Sequence, residues 1–219
     1  MKHLPIWLNR DIEMLFESKT TSVSGRLIGP KSNTSILSVL SFVEEHLIDF
    51  STKYKNSNIE NEKGLTQKLC TLLNSYADGY PFWFDKEYME LPEKGNSPQI
   101  DIGVFSRLKS DDTAFFSFEA KRLDYISKAR EKEYVTGREE NGVYIDTGGV
   151  ERFKKEIHGK NLNYCGMIGY IQKYDFRHWH EKINSWVDEL INISNNSGLM
   201  WNEEDRLIED YVSYLRIHS

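Results

Sequence analysis

The stretch from Glu62 to Ala120 constrains the fold most. Glu62 to Tyr76 sets Leu65, Leu69, Leu72, Leu73 and Tyr76 at i, i+4, i+7, i+8 and i+11 spacing, which predicts an amphipathic helix. Asp78-Gly79-Tyr80-Pro81 ends it. Three strand-like segments follow. Phe82 to Leu91 alternates apolar and polar residues, Ile100 to Phe105 is short and apolar, and Ala114 to Ala120 is apolar enough to lie centrally in a sheet. Pro92 to Pro98 and Lys109 to Thr113 carry turn chemistry between them.

Beyond these strands, Arg122 to Asn141 is dense in charge and reads as a helix or a mobile excursion. Gly148-Gly149 opens a helix over Val150 to His158, with His158-Gly159 as its C-terminus. Tyr164 to Gln172 is a fourth strand, Asp175 caps a helix reaching Ile193, and Glu203 to Ile217 reads as a last helix. From residue 62 the order is α, β, β, β, α, β, α. Residues 1–58 read as a separate, partly helical extension. Leu4 to Phe16 forms one helix there, and Ser35 caps a second carrying Ile36, Leu37, Leu40, Val43, Leu47 and Ile48. The expected division is a helical extension over 1–58 and a main domain over 59–219.

A chain of 219 residues suits one domain with a small appendage. No apolar run approaches the roughly 20 residues of a membrane helix; Ile36 to Phe50 is broken by Glu44, Glu45, His46 and Asp49. Met1-Lys2-His3-Leu4-Pro5 lacks a signal-peptide core. Cys70 and Cys165 lie far apart without metal spacing, so a reducing cytoplasm is expected. The net charge of −6 opposes indiscriminate coating of nucleic acid, unless basic residues cluster locally and a metal adds positive charge.

Two acids interrupt apolar strand segments: Asp101 in Ile100-Asp101-Ile102 and Glu119 in Phe118-Glu119-Ala120. Lys121, two residues after Glu119, emerges on the same face of its strand. An Asp, a Glu and a Lys converging at a sheet suit a hard-oxygen cation site beside a fixed positive charge. On the helix, Glu62 shares the stripe of Leu65 and Leu69.

Asp101, seventeen intervening residues, then Glu119-Ala120-Lys121 resembles the PD-(D/E)xK motif of restriction-endonuclease-like nucleases. Pro98 stands three positions before the Asp instead of next to it. The resemblance covers about residues 59–193, and the order from residue 62 is similar to that superfamily's αβββαβ core, an α/β fold with a mixed central sheet flanked by helices. It implies a metal-dependent nuclease, a phosphodiester hydrolase, with Mg²⁺ or Mn²⁺ held by Asp101, Glu119 and Glu62. Lys121 would position or activate the attacking water. Arg152, in Gly148-Gly149-Val150-Glu151-Arg152-Phe153, would be an auxiliary phosphate contact near a helix N-terminus. The pairing of GGVERF with GMIGYIQ is similar to bacterial members tied to phage defence. DNA before RNA, and a homodimer or a partner protein of a defence system, are the implied partners.

Other readings stand beside these. Asp101 and Glu119 also read as strand acids on a solvent face, Lys121 as a plain ion-pair partner, Glu62 as a helix N-terminal acid, and Arg152 as a surface cation. A catalytically silent binding or scaffold protein on the same fold, or a nuclease switched on by a ligand or partner, are the rival functions. His178-Trp179-His180 suits a metal only on a strand, and its surroundings predict a helix. The run Lys128 to Glu140 reads as a solvated face whose basic residues, with Arg122, would meet a groove if the acids point away.

Overall fold

The computed structural model describes residues 2–5, 34–54, 57, 59, 61–90, 97–109, 112–123, 130–193, 199 and 201–208. The chain forms two compact units, one of Met1–Pro5 with Asn58–Leu207 and one of Ile6–Ser57 with Ile208–Ser219. The unit containing the sheet takes the first five residues, and residues 208–219 fall in the other unit.

Strands β1 (Lys2–Pro5), β2 (Phe82–Met89), β3 (Gln99–Ser106) and β4 (Phe116–Leu123) belong to a mixed sheet completed by β7 (Tyr164–Ile171). Its order is β1-β7-β4-β3-β2, and a separate hairpin pairs β5 (Arg138–Glu140) with β6 (Val143–Ile145). β2, β3 and β4 run antiparallel to one another, while β7 lies parallel to both β4 and β1. The helices in this unit are α2 (Glu62–Tyr76), α3 (Gly149–Lys154) and α4 (Phe176–Ile193); α1 (Thr34–Tyr54) lies in the other unit. No helix among the described residues is long and apolar enough to cross a membrane.

The local causes are plain. Asn61 caps α2 by accepting from the Gly64 N–H at 2.6 Å, and Leu65, Leu69, Leu72 and Leu73 are buried along the stripe that the spacing predicts. β4 is buried on both faces except at Arg122, as an apolar central strand must be. Asp175 starts α4 by accepting from the His178 N–H at 2.8 Å. On one side the core gathers Phe153, Met167, Trp179, Ile183, Trp186 and Trp201. Tyr170 ties β7 to α2 by donating to Thr66 Oγ1 at 3.1 Å. Asn74 of α2 reaches the outer edge of β2, where its side chain accepts from the Phe84 N–H at 3.0 Å and donates to the Phe84 carbonyl at 2.7 Å.

Several expectations need correction. Residues 4 and 5 are strand and pair with Gly166 and Met167, so no helix begins at Leu4; residues 6–16 lie outside the described residues. Helix α1 starts at Thr34, which places Ser35 inside it. The described part of the charged stretch 122–141 holds no α-helix. Arg122 extends β4, Glu131–Tyr134 is a 3-10 turn, and Arg138–Glu140 enters the hairpin. Asn141 and Gly142 both have positive φ (53° and 75°), the pairing demanded by a two-residue hairpin turn. Glu133 in this run is buried beneath Arg130 and Arg138, so the run is not a uniformly solvated face. α3 stops at Lys154, four residues short of His158. Glu203–Asp205 is a single 3-10 turn, not the start of a long helix, and residues 209–217 lie outside the described residues.

Candidate functional site

The site forms where β3 parts from β4. Their register runs Val104↔Phe116, Gly103↔Ser117, Ile102↔Phe118. One step further, Asp101 turns its carboxylate onto the neighbouring strand, and Oδ2 accepts from the Ala120 N–H at 2.8 Å. On the other side, the β2–β3 register passes over Glu87, which would face Asp101 and has φ 57°. A non-glycine residue in that region is strained, and such strain collects where a sheet is shaped for something other than packing. Lys63 and Lys86 hold the Glu87 carboxylate at 3.0 and 3.2 Å.

Glu119 and Lys121 share a face of β4, as the two-residue spacing requires. Glu119 is 2% exposed, and its Oε1 accepts from Lys121 Nζ at 2.7 Å. Glu62, in the first turn of α2, comes to the same place. Its Oε2 accepts from the Arg122 N–H at 2.9 Å and its Oε1 lies 3.7 Å from Lys121 Nζ. Arg152 Nη1 of α3 stands 3.3 Å from Glu119 Oε1. The five residues singled out from the sequence therefore lie around one ammonium group and one buried carboxylate, or hydrogen-bond within a residue of them.

The electrostatics follow from that crowding. Burial, and then the charge of Glu119, pushes the Asp101 carboxyl up to about 7, against the pull of Lys121 and the Ala120 N–H. Burial also opposes ionisation of Glu119, but Lys121 leads the cations that outweigh it, and the carboxyl is held below the usual range. Burial works against charge on Lys121 as well; Glu119, Glu62 and Asp101 reverse that and hold the ammonium above the ordinary lysine range. Lys121 Nζ is thus a permanent donor in this state, suited to orienting a water or an anion and unsuited to removing a proton.

At the N-terminus of α3 the Glu151 N–H is already taken, donating to the Val135 carbonyl at 2.9 Å. Gly148 sits against the Thr136 and Gly137 backbone so closely that an added Cβ would stand 2.1 Å from Thr136 C. The two glycines serve this close packing, and Arg152 is turned toward Glu119.

Two residues escaped the sequence reading. His158 is fully buried beyond the end of α3, with Nε2 3.7 Å from Glu119 Oε2 and Nδ1 3.4 Å from Glu90 Oε2. Glu90 is fixed by the Gly159 N–H at 2.6 Å, on a residue with φ 65°. The contact between positions 90 and 158 leaves no local pattern in the sequence; the one visible signal is the glycine after His158, which allows the turn.

Other candidates lie elsewhere. His178 and His180 diverge on α4, where His178 stacks on Tyr174 at 4.3 Å and His180 Nε2 meets the Leu207 carbonyl at 3.0 Å. Arg138 is paired with Glu133 and Glu140. Both cysteines are free and buried, and burial pushes each thiol up to about 12. Among the described residues, no group of three or more His, Cys, Asp or Glu side chains stands ready as a metal cage. Comparison of the chain with protein-family models, with curated proteins and with solved structures gave no match.

Proposed function

We propose that the chain is a divalent-metal-dependent nuclease of the PD-(D/E)xK type, with DNA as the preferred substrate and a restriction-endonuclease-like fold. The observation that carries this reading is the convergence of Asp101, Glu119, Lys121 and Glu62 where two strands separate. The donor set fits a hard cation. Mg²⁺ needs one or two carboxylates and keeps its remaining waters, so a three-residue cage is not required. Glu119 Oε2 is buried with no hydrogen-bond partner, and Asp101 resists ionising because it is buried and lies beside the charge of Glu119.

In this reading Asp101 and Glu119 hold the ion and Glu62 completes the site, directly or through water. Bound there, the ion supplies a Lewis acid that acidifies water and neutralises phosphoryl charge. Lys121 Nζ, with Glu119 fixing its direction, donates to the attacking water or to a phosphoryl oxygen as charge develops. Arg152 screens Glu119 and offers its remaining guanidinium N–H groups to a phosphate.

Glu119→Ala and Lys121→Ala are each expected to lose at least about 100-fold of Mg²⁺-dependent cleavage of duplex or single-stranded DNA while circular dichroism stays native. Undiminished cutting by the purified double variant would sink the reading. A silent scaffold is the second reading. It is favoured by the compensation of Glu119 Oε1 by Lys121 and Arg152, which lets the cluster stand without an ion. Calorimetric titration with Mg²⁺ decides between them: heat that disappears in Asp101→Asn and Glu119→Gln supports the nuclease, and no heat supports the scaffold.

A further inference from the structure

The two oxygens of Glu119 have different surroundings. Oε1 takes both cations, Lys121 at 2.7 Å and Arg152 at 3.3 Å. Oε2 makes no hydrogen bond, and neither does the atom it faces, Nε2 of His158. Glu119 is 2% exposed and His158 is 0% exposed. Two buried polar atoms of this kind, 3.7 Å apart, need a reason.

The separation itself discriminates. A direct N–H···O bond would bring the pair to about 2.7–3.2 Å. A water bridging both at ordinary distances would hold them about 4.4 Å apart. Two ligands of one transition-metal ion, each about 2.1 Å from it in tetrahedral array, stand about 3.4 Å apart. The observed gap is closest to the last case and is open by about a third of an ångström.

The far side of the imidazole agrees. A histidine that binds a metal through one nitrogen donates the other N–H to a carboxylate, which fixes tautomer and ring direction. Nδ1 of His158 lies 3.4 Å from Glu90 Oε2, and Glu90 is itself held by the Gly159 N–H at 2.6 Å. Each imidazole nitrogen thus has a carboxylate oxygen near it, Glu90 on one side and Glu119 on the other.

The geometry points to Nε2 of His158 and Oε2 of Glu119 as ligands of one divalent transition-metal ion, with Glu90 as the residue that orients the imidazole. The inference rests on the cation-site reading for Glu119 and deepens it. An imidazole ligand moves the preference of that site from Mg²⁺ toward first-row transition ions, which accept nitrogen donors readily.

The probe is Co²⁺, with Mg²⁺ as comparator, on the full chain. Proton NMR of the Co²⁺-loaded wild type should show a strongly shifted, solvent-exchangeable imidazole N–H, the Nδ1 proton kept by Glu90. Calorimetry should find Co²⁺ affinity lowered on the order of 10- to 100-fold in His158→Gln and about 10-fold in Glu90→Gln, with Mg²⁺ affinity changed less than about 3-fold. Glu90→Gln leaves the buried ring in place, and the NMR reading needs no variant, so the test survives a His158 variant that fails to fold. Co²⁺ binding that is lost in Asp101→Asn but shows no shifted N–H overturns the inference and leaves the two-carboxylate site standing. A shifted N–H that Asp101→Asn does not alter supports the inference and counts against the nuclease site. No binding of either ion by the wild type overturns both.

Discussion

Asp101 illustrates how one side chain records its surroundings. An aspartate in an unfolded chain titrates near 4, whereas the folded carboxyl is raised to about 7 by burial and by Glu119. Between those values the folded protein holds a proton that the unfolded chain has released, so unfolding free energy falls as pH rises. The stabilising contribution is complete below about pH 4 and gone just above pH 7. In EDTA, wild type should lose on the order of 2–4 kcal/mol relative to Asp101→Asn between pH 4 and 8, read from urea midpoints of both proteins. A wild type that tracks the variant across this range would show that the carboxyl titrates normally. Asp101 and Glu119 were legible in the sequence because an acid inside an apolar strand is costly without a partner. Glu62 was legible from helical phase. His158 and Glu90 were not, because their neighbours are set by the tertiary fold alone.

At the level of elements, periodicity identified α2 and the four strands β2, β3, β4 and β7 to within a few residues at their ends. It failed where charge masked a turn. Asn141-Gly142 between Arg138–Glu140 and Val143–Ile145 is a strong hairpin signal, hidden inside a stretch that composition marks as solvated. The hairpin matters to the site because Tyr144 OH and the Gly137 N–H both donate to Glu151 Oε2, next to Arg152 on α3. Lys155, over the Tyr144 ring at 5.1 Å, also pairs with Asp146 and Glu151. The seam between hairpin and helix tolerates no Cβ at Gly148, whose nearest neighbours are backbone atoms of Thr136 and Gly137. Gly149 faces the terminal methyl of Met167. Gly148→Ala is therefore expected to cost about 1–3 kcal/mol in a urea titration and Gly149→Ala less, since a methionine end can move and backbone cannot. Equal losses would mean that the seam yields as a whole.

For the molecule as a whole, the mixed sheet with helices is an architecture that many unrelated functions use, and chemistry resides in the site it carries. The outer edge of the sheet has one further consequence. A strand at a sheet margin offers unpaired amides and carbonyls to any other extended chain. At Phe84 of β2 both groups are already taken by the amide of Asn74, which stands in for a neighbouring strand. A second copy therefore cannot continue the sheet past Phe84. Asn74→Ala should reopen the margin. Beyond a loss on the order of 1–2 kcal/mol from the two missing hydrogen bonds, the variant is expected to self-associate with concentration, seen as rising light scattering at temperatures where wild type stays clear. Asn74 would then act as a guard against polymerisation, placed on the same helix that brings Glu62 to the site.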